Sequence, residues 1–173
     1  MSFHKLYPVF AYPVSDLTIA RYLAAKGVDN IGILVPKSGA EEALRLIHLF
    51  REWLEGPQII AVCNGQHELC ITLHDQVSGY YFLNGLTKPY SGFCFLPYSS
   101  QSEEPGPERI CKPSEVSDLP ATRWIELEVE DDPVQFKDYK GFVLHPGKEA
   151  KTGWFDFEAL DLWFERLEGI QNA

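Results

Sequence analysis

The chain has little positive charge and no long apolar run. It carries 15 Lys and Arg residues against 25 Asp and Glu residues, a formal net charge of −10 at pH 7. Such a surface repels the phosphates of nucleic acids and of anionic lipids, so we expect neither as a partner. No apolar stretch approaches the roughly 18 residues of a membrane helix. The opening residues, MSFHKLYPVFAYP, also lack the apolar core of a signal peptide. We therefore expect a cytoplasmic protein.

Cysteine is also scarce, with four residues in a chain of 173. Without a secretion signal, we expect all four to be reduced thiols rather than a disulfide framework. The spacing of Cys63, His67, Cys70 and His74 is compatible with zinc ligands. A buried structural cysteine beside two partly exposed histidines explains the same pattern, and we predict neither a metal nor a cofactor.

One segment carries a complete helix-then-strand pattern. Residues 16–38 read DLTIARYLAAKGVDNIGILVPKS, in which leucines and alanines recur at helical spacing and Gly27 ends the helix. The following run, 31–35, is almost wholly apolar. Strands that are buried on both faces lose their polar alternation, as in a parallel sheet covered by helices. The segment therefore predicts an α/β fold with parallel strands.

The rest of the chain continues this pattern less regularly. We predict strands at 6–12, 31–35, 58–63, 80–83, 90–96, 124–129 and 141–144, helices at 16–26, 40–54, 66–77 and 157–167, a stub at 134–139, and a doubtful eighth strand at 109–111. The favoured fold is a single domain, 1–173, forming a (β/α)8 TIM-type barrel with degenerate middle units. The chain is short for such a barrel, which usually needs about 250 residues. An open parallel α/β sheet is the alternative.

Three segments resemble phosphoribosylanthranilate isomerase, a (β/α)8-barrel enzyme. The segment ARYLAAKGVDNIGILV is similar to the family's first helix and second strand, which commonly read DARYAAAAGADAIGFVF. GYYFLNG, residues 79–85, resembles its fourth strand, and residues 141–167 resemble its last strand and final helix. This resemblance implies a barrel whose ligands bind at the carboxyl ends of the strands.

The same resemblance implies that the isomerase chemistry is lost. In the family, a strand-one motif K-x-C-G-I-T supplies a cysteine base, and alignment on Ala20 to Tyr22 places Phe10, Tyr12 and Pro13 at the Lys, Cys and Gly positions. A tyrosine, with an ordinary pKa of about 10, is a poor base near neutral pH. The family's Gly-Gly-Thr-Gly phosphate loop is absent. His145, Pro146 and Gly147 replace its Ser-Ser-Gly turn, where proline removes one backbone donor.

Acidic residues alternate with apolar ones near the end of the strand predicted at 124–129. Glu126, Glu128, Glu130 and Asp131 form this cluster. The alternation fits either a solvent-facing strand or a barrel-lining one, and acids inside a barrel are costly without partners. We choose Glu128 and Glu130 as the candidate catalytic acids.

Polar residues follow most predicted strands, where a barrel would gather them at one rim. We predict catalytic roles for Glu128, Glu130 and His145, and ligand binding by Tyr12, Lys37, Ser38, Asn84, Gly147 and Lys148.

Two hypotheses for function follow. The first is a barrel without isomerase activity that binds a small, sugar phosphate-like molecule or another protein. Its abundant aromatic residues would fill the core or form a surface for self-association. The second is a divergent isomerase or lyase acting on a small phosphorylated metabolite.

Overall fold

The computed structural model describes residues 7–65, 67–86, 90–98, 106–115, 120–147 and 155–171. Its strands are β1 (Val9–Ala11), β2 (Asn30–Val35), β3 (Gln58–Cys63), β4 (Gly79–Phe82), β5 (Cys94–Pro97), β6 (Glu108–Cys111), β7 (Arg123–Glu128) and β8 (Gly141–His145). Its α-helices are α1 (Leu17–Ala25), α2 (Glu41–Trp53), α3 (His67–Ile71) and α4 (Phe157–Gln171). Short 3-10 turns occupy Pro120–Thr122 and Pro133–Phe136.

The eight strands form a closed barrel in which every neighbouring pair is parallel. Closure joins the first strand to the last, with Val9 opposite Phe142 and Ala11 opposite Leu144. The open sheet, our alternative, is therefore wrong. The doubtful strand predicted at 109–111 is present as β6. It pairs with both β5 and β7 and so completes the ring.

The helical layer is incomplete. Helices α1, α2 and α3 follow the first three strands and α4 follows the last, whereas the described residues between β4 and β7 contain no α-helix. The full alternation of eight strands with eight helices is thus not seen in these ranges. In the same ranges, no helix is long and apolar enough to cross a membrane.

Local sequence explains where the helices begin and end. Asp16 caps α1, its carboxylate accepting hydrogen bonds from the backbone N–H groups of Thr18 and Ile19. Gly27 follows with a φ of 75°, which favours glycine. Helix α3 is shorter than predicted, because the N–H of Leu73 bonds to the carbonyl of Cys70, three residues back, and the chain tightens into turns.

Burial divides the strand residues between two apolar clusters. One lies between the barrel wall and the helices, and includes Ile33, Ala61 and Leu127. The other fills the barrel interior with Phe10, Tyr12, Ile60, Val62, Tyr81, Phe95, Ile110, Trp124 and Val143. Most of the aromatic residues around β4 and β5 are thus packing groups, although the side chain of Phe93 is 42% exposed.

Two of the four cysteines are joined. Cys63, at the end of β3, forms a disulfide with Cys70 of α3. Our prediction of four reduced thiols is wrong for this pair, because the helix that follows β3 brings Cys70 back over the strand end, with a Cα–Cα distance of 6.3 Å. The alternative zinc interpretation loses two of its ligands to this bond. No group of three or more metal-ligating side chains occurs among the described residues.

The barrel interior depends on a missing side chain at Gly32. A Cβ atom there would stand 2.5 Å from the Cβ of Tyr12 and 2.8 Å from side-chain atoms of Phe10 and Val62. We expect Gly32→Ala to lower the free energy of unfolding by about 1–3 kcal/mol through overpacking. Urea denaturation of both proteins measures the difference.

Gly169→Ala is the matched control. Gly169 lies in α4, and a Cβ atom added there would meet no atom within 4 Å, so alanine is expected to raise stability by up to about 1 kcal/mol through helix propensity. Equal effects of the two substitutions would contradict the crowding described for Gly32.

Candidate functional site

Three polar side chains meet inside the barrel at the carboxyl end of its strands. Tyr12 directly follows β1, Glu126 lies in β7, and His145 is the last residue of β8. Pairing of β7 with β8 sets Glu126 opposite Val143, one step below His145, and pairing of β8 with β1 brings Tyr12 to the same place. This is the end at which barrels of this type carry their active sites.

The two neighbours of Glu126 converge on one of its oxygens. The hydroxyl of Tyr12 donates a hydrogen bond to Oε1 of Glu126 at 2.7 Å. Nε2 of His145 lies 2.5 Å from the same oxygen. The rings of Tyr12 and His145 are in contact, with centroids 4.6 Å apart. The Glu126 and His145 side chains are only 13% and 19% exposed, so this network is largely shielded from water.

The environment keeps Glu126 ionised. Burial alone raises the pKa of its carboxyl, but the hydrogen bonds from His145 and Tyr12, with the nearby positive charge of Lys112, outweigh it and leave the pKa lowered. In the neutral imidazole, Nε2–H donates to this carboxylate and Nδ1 is left as an acceptor. Glu126 can therefore fix the orientation and tautomer of His145, an arrangement suited to general acid–base chemistry.

Tyr12 is held in its neutral form. Burial, followed by the electrostatic influence of Tyr81 and Glu126, raises the pKa of Tyr12 far above its ordinary value of 10.0. Burial also raises the pKa of Tyr81. Both phenols therefore stay protonated at neutral pH. Tyr12 acts as a hydrogen-bond donor and is not a base.

A cavity of about 260 Å³ opens beside this network. It is lined by Tyr12, Tyr81, Leu83, Pro97, Ile110, Lys112, Glu115 and Glu126. The lysine and Glu115 belong to the segment after β6, where the Lys112 N–H donates to the Glu115 carboxylate at 2.9 Å. The volume is small even for a ligand site, and so suits a metabolite of a few heavy atoms rather than a large cofactor.

The structure brings together two of the nine residues that we chose from the sequence, Tyr12 and His145. Of the others, Glu128, Glu130, Lys37, Ser38 and Gly147 are exposed, and the amide of Asn84 donates to Asn64 at 2.7 Å. Lys148 lies outside the described residues. Roles for these remaining residues stay predictions.

Glu126 is the shielded carboxylate that sequence reasoning misses within the acidic cluster. Its neighbours Ile125 and Leu127 pack outward against the helices, so Glu126 shares the inward face with Trp124. The alternation of polar and apolar residues in β7 already indicates that Glu126 and Trp124 share a face. We chose Glu128 and Glu130 because they lie nearer the strand end, whereas the shielded carboxylate lies one step deeper in the barrel.

Comparisons with known proteins add no identity. No protein-family model matches the chain, and no curated protein matches its sequence.

The lowered pKa of Glu126 predicts a pH-dependent contribution to stability. The carboxylate stabilises the fold fully above its unfolded pKa of about 4.5 and loses this contribution as pH falls through the lower folded pKa. At pH 7, we expect Glu126→Gln to lower the free energy of unfolding by about 1.5–3 kcal/mol, since it removes a charged, buried hydrogen-bond acceptor. The difference from the unsubstituted protein should shrink below pH 4.5, as measured by denaturation at a series of pH values.

Glu128→Gln is the control, because Glu128 lies in the same strand but is exposed. Its effect should stay within about 0.5 kcal/mol. A constant difference between Glu126→Gln and the unsubstituted protein from about pH 7 to about pH 3 would count against the ionised network.

Proposed function

We propose that this protein binds a small metabolite at the carboxyl-end rim of its barrel and transfers a proton to or from it. His145 is the acid–base group, Glu126 orients it, and Tyr12 supplies a hydrogen bond to the carboxylate. The observation that carries this proposal is the convergence of Tyr12 and His145 on Oε1 of Glu126, where Tyr12 and Glu126 line a cavity.

The energetic cost of burying the Glu126 carboxylate supports a functional role for the network. A carboxylate inside a barrel loses much of its hydration, and an apolar side chain would fill the same space without that penalty. The rest of the barrel interior is mainly aromatic and aliphatic. A buried ionised group with a shifted pKa beside a cavity is typical of catalytic sites.

The charges around the cavity favour a ligand of low net charge. Lys112 is the cation that lines it, and the carboxylates of Glu115 and Glu126 oppose it. A neutral, zwitterionic or singly anionic molecule fits this balance better than a diphosphate. The two neutral phenols, Tyr12 and Tyr81, add hydrogen-bonding groups beside apolar Leu83 and Ile110.

Exchange of ligand protons with solvent tests the chemistry without assuming the reaction. Thermal-shift screening of small metabolites, including sugar monophosphates, first identifies a ligand, and NMR in deuterium oxide then measures deuterium incorporation into it. We expect exchange catalysed by the unsubstituted protein, and a loss of about 100-fold or more in His145→Gln and Glu126→Gln. Binding in these variants should change much less than exchange.

Glu165→Gln, at an exposed position of α4, is the control and should retain full exchange. A ligand that binds without exchange in the unsubstituted protein would overturn the proton-transfer role and leave a binding protein. Full exchange in His145→Gln would overturn the assignment of the base.

We further propose that the barrel is a shortened (β/α)8 barrel related to phosphoribosylanthranilate isomerase, without that enzyme's activity. The segment with the strongest resemblance folds as helix α1 and strand β2, and the last strand is followed by a helix, the order that the resemblance implies. At the position aligned with the family's cysteine base stands Tyr12, whose hydroxyl is already bonded to Glu126.

This second proposal predicts no turnover of phosphoribosylanthranilate by the purified protein, because no group at position 12 can act as the base. Chromatographic separation of substrate and product provides the measurement. Turnover that disappears in Tyr12→Phe or Glu126→Gln would contradict the prediction, since it would locate isomerase activity at this rim.

A further inference from the structure

A second cavity opens at the opposite mouth of the barrel, where the strands begin. Its volume is about 450 Å³, larger than the rim cavity and within the range of about 300–1,000 Å³ typical of small-molecule sites. Asn30, Phe93, Glu108 and Trp124 line it, together with the loop around Pro57. None of these residues belongs to the proton-transfer network.

Asn30 is a buried polar residue that lines this cavity. It is 7% exposed and is the one buried polar residue of the described chain. Asn30 pairs with Phe10 in the barrel wall. Gly32, two residues later in the same strand, faces Phe10, Tyr12 and Val62 in the barrel interior. Because residues two apart in a strand point to the same face, the Asn30 side chain also points into the barrel. Asparagine is disfavoured in strands, which makes its burial here informative.

The amide of Asn30 is available to a ligand. Buried polar side chains are nearly always hydrogen-bonded, and an asparagine amide presents a donor and an acceptor side by side. Within the described residues, no hydrogen bond to this side chain is found, and its amide atoms are not among the completely buried, unpartnered ones, so the amide is open to the cavity that Asn30 lines. A planar molecule with a complementary amide edge would satisfy both groups at once.

The walls of the cavity are partly aromatic and carry two carboxylates, those of Asp29 and Glu108. Phe93 is 42% exposed, and Trp124 lies nearby, each packing edge-on against Phe95 with ring centroids 5.1 Å apart. The carboxylate of Glu108 accepts a hydrogen bond from the Trp124 indole at 3.0 Å and forms an ion pair with Lys140. Asp29 accepts a hydrogen bond from the Val9 N–H at 2.7 Å. Since both carboxylates already have donors, the walls favour a neutral ligand over a charged one.

We propose that this mouth is a second binding site, which takes a neutral, planar aromatic molecule carrying a carboxamide or cyclic amide edge. Asn30 recognises the amide edge, and Phe93 and Trp124 provide the apolar contact. This site is independent of the chemistry proposed for the rim.

Benzamide is the probe and benzoate its comparison, because the two have the same shape but benzoate lacks the amide donors and carries a charge. Titration of the full chain, followed by ligand-observed NMR, should show benzamide binding with a dissociation constant at least about tenfold lower than that of benzoate. Asn30→Leu, which keeps a side chain of similar size, should weaken benzamide binding by about tenfold.

Phe93→Ala gives a second, independent variant at a position that is 42% exposed, and should weaken binding several-fold. Trp53→Ala is its control, because Trp53 is an exposed aromatic residue of α2 (56% exposed) outside this cavity. Absence of benzamide binding, equal binding of benzoate, or unchanged affinity in both Asn30→Leu and Phe93→Ala would each overturn the proposal.

Discussion

Closure of the barrel by β1 and β8 is the contact on which the rest of this structure depends. Three residue pairs make it, Val9 with Phe142, Phe10 with Val143 and Ala11 with Leu144, and the N–H of Tyr12 extends it to the carbonyl of Leu144 at 3.1 Å. Without this seam, Tyr12 would lie at a sheet edge, away from the last strand. With it, a residue near the start of the chain hydrogen-bonds to one 114 positions later.

Closure also creates an interior, and aromatic packing divides it. Phe10 stacks on Phe95 with ring centroids 4.8 Å apart, and Phe95 meets Trp124 edge-on at 5.1 Å. These rings fill the middle of the barrel, where a glycine at position 32 leaves room for them. These packed rings separate the rim cavity from the cavity at the other mouth, so the two cavities can bind different ligands within one small fold.

The sequence predicts best those elements whose signals are local. The pattern of residues 16–38 is sufficient for helix α1 and most of β2, and strand β3 occupies the predicted range, 58–63. Strand β6 is doubtful from sequence because Glu108 and Arg109 give it a polar beginning; its pairing with β5 and β7 stabilises it regardless. The Cys63–Cys70 bond likewise depends on how α3 returns over β3.

The site is harder to predict because its residues are brought together by strand pairing rather than by local sequence. Alternation in β7 indicates that Glu126 and Trp124 share a face, but only the ring of strands shows that this face is the interior. His145 is recognisable as a candidate because it follows a predicted strand, and Tyr12 because it aligns with the position of the isomerase family's cysteine base. Their common partner is not, since the choice among Glu126, Glu128 and Glu130 requires the depth of each residue in the barrel, and depth follows from register rather than from composition.

The buried carboxylate of Glu126 depends on the hydrogen bond from Tyr12. A cysteine side chain at position 12 would be several atoms shorter than tyrosine, and Glu126 would lose one of the two groups that converge on its buried oxygen. A carboxylate with fewer donors in such a place is strongly destabilising. The tyrosine hydroxyl, kept protonated by burial and by the neighbouring negative charge, supplies a permanent donor. In the relation to phosphoribosylanthranilate isomerase that we propose, the residue that replaces the family's base is thus also the one that stabilises the Glu126 carboxylate beside His145.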